Sequence, residues 1–173
     1  MKNLSFILAC SLLFIGLSVS EAAQLALSPP DSSAVVVDDI QFNAIDYQLD
    51  ASTNTAKATL TLLNKKDVPR ELRLNVFGTQ VVDNKRNSYY FSTISMGRVL
   101  VRFEDKQNYL NYLLQPEQEV RLTITATGIS ADSNGVQLVK IVFEDSREEG
   151  RFIEAFVGGA AERGKQARYS IVH

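Results

Sequence analysis

Lys57 to Tyr90 reads KATLTLLNKKDVPRELRLNVFGTQVVDNKRNSYY, and this stretch decides the fold class. Thr59, Thr61 and Leu63 alternate with Ala58, Leu60 and Leu62. Beyond a break at Asn64 to Pro69, Leu72, Leu74 and Val76 alternate with Glu71, Arg73 and Asn75. Period-two alternation rich in β-branched residues marks half-buried strands. The break holds Asn64, Asp67 and Pro69: Asn and Asp bond their own backbone, and Pro fixes φ. Asp83 to Asn87 is a second turn, after which Tyr89 to Ser92 resumes a strand. The stretch sets a fold class and leaves the activity open.

Towards the carboxyl terminus the same pattern continues. Arg98 to Asp105 alternates, with Val99, Val101 and Phe103 expected inward and Arg98, Leu100, Arg102 and Glu104 outward. Asn108 to Leu114 (NYLNYLL) is ambiguous, because Tyr109, Tyr112 and Leu113 fall at the spacing of one helical turn. Val120, Leu122, Ile124 and Ala126 alternate strictly with Arg121, Thr123 and Thr125, and Gly128 ends that strand. Asp132-Ser133-Asn134-Gly135 reads as a hairpin-type turn. Val136 to Phe143 is an almost unbroken apolar run suited to a buried strand. Towards the amino terminus, Ile40 to Leu49 is a strand whose apolar phase slips at Ala44-Ile45, as a β-bulge would cause. Val35 to Val37 is a β-branched run able to add an edge strand.

About seven to nine short strands with no long amphipathic helix predict an all-β, antiparallel, immunoglobulin-like β-sandwich. The expected domain spans residues 37–145. A linker at 23–36, carrying Pro29 and Pro30, precedes it, and an extension at 146–173 follows, in which Phe152 to Val157 is an apolar run able to form another strand and Tyr169 to Val172 is able to pair on a sheet edge.

Met1 to Ala22 reads as an export signal: Lys2 supplies charge, Phe6 to Val19 is apolar, and Ser20-Glu21-Ala22 offers small residues for cleavage. The competing readings are an uncleaved anchor and, at Cys10, a lipidated cysteine. Cys10 is the single cysteine, so signal removal leaves a chain with no thiol, held by its core alone. With 173 residues and 45% hydrophobic content, the chain has enough material for one such core. The expected location is periplasmic or secreted.

The arrangement resembles the small exported immunoglobulin-like modules of bacteria. The matching features are Ala58 to Leu63 ending in Asn64, Val68-Pro69, Leu72 to Val76, Asp83 to Tyr89, and Leu114-Gln115-Pro116-Glu117 before Val120 to Ala126. Ala58 to Val76 is also similar to the amino-terminal domain of periplasmic pilus chaperones, whose second sandwich domain this chain has no room for. The resemblance implies binding to other proteins or envelope components.

Composition narrows the chemistry. A net charge of -2 gives no steering towards nucleic acid, and His173 is the one histidine. No nucleophile elbow, P-loop or dinucleotide fingerprint is present. Carboxylate pairs remain: Asp38 with Asp39, Glu144 with Asp145, and Glu148 with Glu149. A glycosidase needs two carboxylates facing across a cleft. Asp132 to Gly135 shares the opening of a calcium loop without its later Glu, and Asp38, Asp39, Asp83 and Asp105 are further candidates for calcium between loops. The expectation is a non-enzyme with no catalytic residue, no cofactor and no resident metal, binding a protein through Tyr90, Arg98, Leu100, Arg102 and Tyr109. The alternative is a carboxylate-based polysaccharide hydrolase or a carbohydrate-binding module.

Overall fold

A computed structural model describes residues 34–158. The stretch expected as an export signal, Cys10, the prolines of the expected linker, Tyr169 to Val172 and His173 lie outside the described residues. Within them the chain is all-β and antiparallel, with twelve strands and no α-helix. No helix among these residues is long and apolar enough to cross a membrane.

The first sheet is built from β1 (Val35–Val37), β2 (Ile40–Asp50), β3 (Thr55–Asn64), β10 (Glu119–Thr127), β7 (Thr93–Met96) and β8 (Val99–Arg102), in that spatial order. A two-residue turn joins β1 to β2, with Asp38 and Asp39 both at positive φ (48° and 60°). Two positive φ values give the twist that a tight hairpin needs, and Asp tolerates them. The phase slip in β2 is a bulge: Ala44 pairs with Leu60 and Asp46 with Thr59, leaving Ile45 extra and exposed.

The second sheet centres on β11 (Val136–Glu144). One edge of β11 carries β12 (Phe152–Gly158) along Leu138 to Glu144. The other edge is shared by β5 (Gln80–Asp83), against Val136 to Lys140, and β4 (Arg70–Asn75), which meets it at Phe143. β9 (Tyr109–Leu114) then flanks β4, and β6 (Ser88–Tyr90) flanks β5. This sheet curls into a half-barrel over the first.

Alternate residues from both sheets fill the space between them. Leu60, Leu62, Leu122 and Ile124 from the first meet Leu72, Leu74, Ile141 and Phe143 from the second, all fully buried. Phe42 and Phe143 touch across the layers with ring centres 5.5 Å apart. Each such side chain contributes roughly 1.5–3 kcal/mol when taken out of water.

Several expectations change. The count of seven to nine strands becomes twelve, because strands of three or four residues (β1, β5 to β8) surround the long ones. The break at Asn64 to Pro69 carries the chain from one sheet to the other. Asn64 holds it there: its fully buried amide donates to Val68 O (2.8 Å) and accepts from Lys66 N (3.0 Å). Asp132 to Gly135 likewise crosses between sheets and is no hairpin turn. NYLNYLL is a strand, β9, because pairing with all of β4 overrides its helical spacing. Phe103 leaves the expected inward row and opens a 3-10 turn, Phe103–Asp105, that ends β8. Val35 to Val37 does form an edge strand, β1, at the end of the stretch expected as linker, and the apolar run from Phe152 in the expected extension forms β12.

Candidate functional site

Between Asn75 and Gln80 the chain bulges out of the second sheet. Val76 N donates to Asn108 O (3.0 Å), and Thr79 N to Asn75 O (3.1 Å). Asn75 is paired with Tyr109 and Gln80 with Tyr90, so the start of β9 and the end of β6 flank this bulge on one sheet edge. The end of β8 joins them, since Phe103 N donates to Ser92 O (3.0 Å). Three chain ends from two sheets therefore meet at one seam.

Phe77, Phe91 and Phe103 fill it. Their ring centres lie 5.6–5.9 Å apart, tilted or edge-on, as aromatic quadrupoles favour. Phe91 is 2% exposed and Phe103 48%, so the cluster runs from core to surface. Tyr90, next in the chain to Phe91, and Leu100, on β8, are exposed as well, at 55% and 49%. Arg102 is exposed, and its backbone N–H is held by Asp105 Oδ2 (2.8 Å) in the turn that sets Phe103.

The five residues singled out from sequence divide. Tyr90 and Arg102 lie at the seam, where Thr93 pairs with Arg102. Leu100 sits on the outward face of β8, opposite Ser95. Arg98 is in the β7–β8 turn, at the far end of that hairpin from Arg102. Tyr109 begins at the seam, but its ring lies elsewhere: it stacks on Phe152 at 5.7 Å, and the Arg73 guanidinium covers it at 4.0 Å. Sequence reasoning missed Phe77, Phe91 and Phe103. The usable signal was Glu104-Asp105-Lys106 directly after Phe103, a polar run that ends a strand.

Beside Tyr109 lies an open polar cleft of about 350 Å³, bordered by Glu71, Arg73, Asn111, Glu144, Asp145 and Glu149. It brings the Glu144–Asp145 pair together with Glu71 and Glu149. Glu144 accepts from Gly150 N (2.6 Å) and pairs with Arg73 (3.3 Å). Burial pushes the Asp145 carboxyl up, but Arg147 N–H and the Arg151 guanidinium outweigh it and hold it below the usual carboxylate range. A carboxyl held ionised accepts protons poorly and donates none near neutrality.

The aspartates considered for calcium have protein partners. Asp38 accepts from Arg70 and Ser146, and Asp39 pairs with Lys66 at 3.4 Å. Asp83 accepts from Lys85 N (2.9 Å), Asn87 N (2.8 Å), Asn87 Nδ2 (3.0 Å) and Tyr89 OH (2.9 Å). Asp105 caps Arg102, and Asp132 accepts from the Ser130 hydroxyl. Among the described residues, no three His, Cys, Asp or Glu are grouped so as to hold a metal ion.

Comparison of the chain with family models, with curated proteins and with solved structures finds no match.

Proposed function

We propose that this chain is a non-catalytic, exported, immunoglobulin-like β-sandwich module. In this reading it binds another protein of the cell envelope or outside the cell through the seam. The carrying observation is that Phe103 is about half exposed next to the exposed Arg102, with Tyr90 and Leu100 also about half exposed, while Phe77 and Phe91 hold Phe103 from below. Aromatic side chains and Arg are the commonest anchors of protein interfaces, and a ring already fixed loses little freedom on binding. Export and a periplasmic or secreted location rest on the Lys2 and Phe6 to Val19 pattern. No cofactor or metal belongs to this reading.

A carbohydrate ligand, bound or hydrolysed, is the second reading. The cleft favours it, with Arg73 laid over Tyr109 and Tyr109 stacked on Phe152 at its side. The ionised, engaged state of Asp145 weighs against a proton-donating role there.

Capture from envelope extract, run beside a glycan array, separates the two. Protein capture lost in a Leu100→Ala/Arg102→Ala chain supports the seam. Glycan binding that survives this change and is lost in Arg73→Ala supports the cleft.

A further inference from the structure

We propose that Asn134–Gly135 is a site of spontaneous backbone modification, where a succinimide forms and opens to isoaspartate or aspartate. The reaction needs an asparagine amide free to be attacked and a following backbone nitrogen free to attack it. Both conditions meet here. Asn134 is exposed and its side-chain amide makes no hydrogen bond among the described residues. The Gly135 N–H donates no hydrogen bond among the described residues, Gly135 is only part-buried, and a Cβ built there would find nothing within 4 Å, so no neighbouring group crowds the residue. Glycine adds no side chain to block the approach.

The other described asparagines lack this combination. The amides of Asn43, Asn64, Asn75, Asn84 and Asn87 are all engaged in hydrogen bonds. Asn54, Asn108 and Asn111 precede Thr55, Tyr109 and Tyr112, whose side chains screen the nitrogen.

The step balances with water alone. Hydroxide takes the Gly135 amide proton, and the nitrogen attacks Asn134 Cγ. The new C–N bond closes a five-membered imide, while the Cγ–Nδ2 bond breaks and the side-chain nitrogen, taking a proton back from the water just formed, leaves as ammonia and regenerates hydroxide. Water then opens the imide at either carbonyl. Opening at the backbone carbonyl leaves the chain running through the former side chain, one carbon longer.

That extra carbon falls where the loop is fastened. Asn134 N donates to Asn84 Oδ1 (3.0 Å), and Asn84 N donates to Gly135 O (3.1 Å). Asn84 adjoins Asp83 in the hairpin that carries Tyr90. The isoaspartate form therefore loosens this hairpin's grip on the 130–135 loop.

The test incubates the full mature chain in mildly alkaline buffer and maps peptides by mass, with isoaspartate scored by an isoaspartyl methyltransferase. An amide-to-acid mass change concentrated at position 134, and absent in Asn134→Gln, supports the site. Gln would have to close a larger ring, and position 134 is exposed. Conversion spread over other asparagines, or none at 134 while a free peptide of the same sequence converts, overturns it. Hydrogen exchange on the separated isoaspartate form reads the coupling: Asn84 should lose amide protection, and unchanged protection overturns the loosening.

Discussion

Asp38 and Arg70 form an ion pair in which both side chains are only 5–6% exposed. Asp38 sits in the β1–β2 turn and Arg70 opens β4, so the pair ties the first sheet to the second. Ser146, in the loop after β11, adds its N–H and hydroxyl to the same carboxylate, each at 2.8 Å. Arg70 also lies 5.9 Å from the Phe143 ring centre. Removing one partner of a buried pair strands the other charge, at a cost of roughly 3–5 kcal/mol. Arg70→Met should lower unfolding free energy by that amount in urea titration. The Asp38→Ala/Arg70→Met double change should cost clearly less than the two single changes added. Simple additivity would show that the two charges do not depend on each other.

Asp83 predicts an acid-sensitive hairpin. Burial pushes its carboxyl up, but Asn87, Tyr89 and Lys85 together hold it below its ordinary value. A folded-state value below the unfolded one gives stability that is fully present above the unfolded pKa, near 3.8. It is lost as pH falls through the lower folded value. Asp145 adds to the same window. Unfolding free energy should therefore be level above about pH 5 and fall below about pH 4. Asp83→Asn should flatten that fall and cost roughly 2–4 kcal/mol at neutral pH, because several donors lose a charged acceptor. An equally steep acid limb in the variant would assign the pH dependence to other carboxylates.

Gly78 is a packing prediction. A Cβ there would lie 2.9 Å from Val142 Cβ and 3.0 Å from its Cγ2. Val142 is almost fully buried, and its N–H donates to Thr79 Oγ1 at 3.2 Å, so it has little room to retreat. Gly78→Ala should cost roughly 1–3 kcal/mol by overpacking. Val142→Ala in the same chain should recover part of that loss. Melting temperatures of the two single variants and the double variant measure the coupling through the Val142 methyls, and a Gly78→Ala chain that melts with the parent would show that the packing gives way there without cost.

The residues that wrote the fold most legibly are those with one buried face. Thr123 and Thr125 against Leu122 and Ile124, and the phase slip at Ile45, are visible because a strand's side chains repeat every two residues. What stayed hidden depends on pairing at a distance. Tyr109 to Leu114 carries helical spacing, and only the presence of β4 beside it makes it a strand. The paired face of Asn64 and the meeting of Asp38 with Arg70 likewise join segments far apart in sequence. At the candidate site, exposure of Leu100 and Arg102 was legible from alternation. The aromatic base was not, because Phe77 leaves its strand in a bulge and Phe103 leaves its own at a 3-10 turn. No local pattern records that these two exits face each other.

The seam's surface and its foundation rest on different residues. Leu100 and Arg102 are exposed on a strand whose stability comes from Val101, fully buried on the opposite face. Leu100→Ala/Arg102→Ala should therefore stay within about 0.5 kcal/mol of the parent in stability. If the seam binds a protein, the same change should weaken capture by roughly thirtyfold, the equivalent of about 2 kcal/mol. Phe91→Ala should behave differently. Its ring is buried and supports both Phe77 and Phe103, so its loss should cost roughly 3–5 kcal/mol of folding. Phe103→Ala lies between: with the ring half exposed, it should cost less folding stability than Phe91→Ala and at least as much capture as the Leu100/Arg102 change. Thermal melts and partner titrations on the three variants give the ordering. A Phe103→Ala chain that melts near the parent and captures partner undiminished would remove the seam from the binding surface.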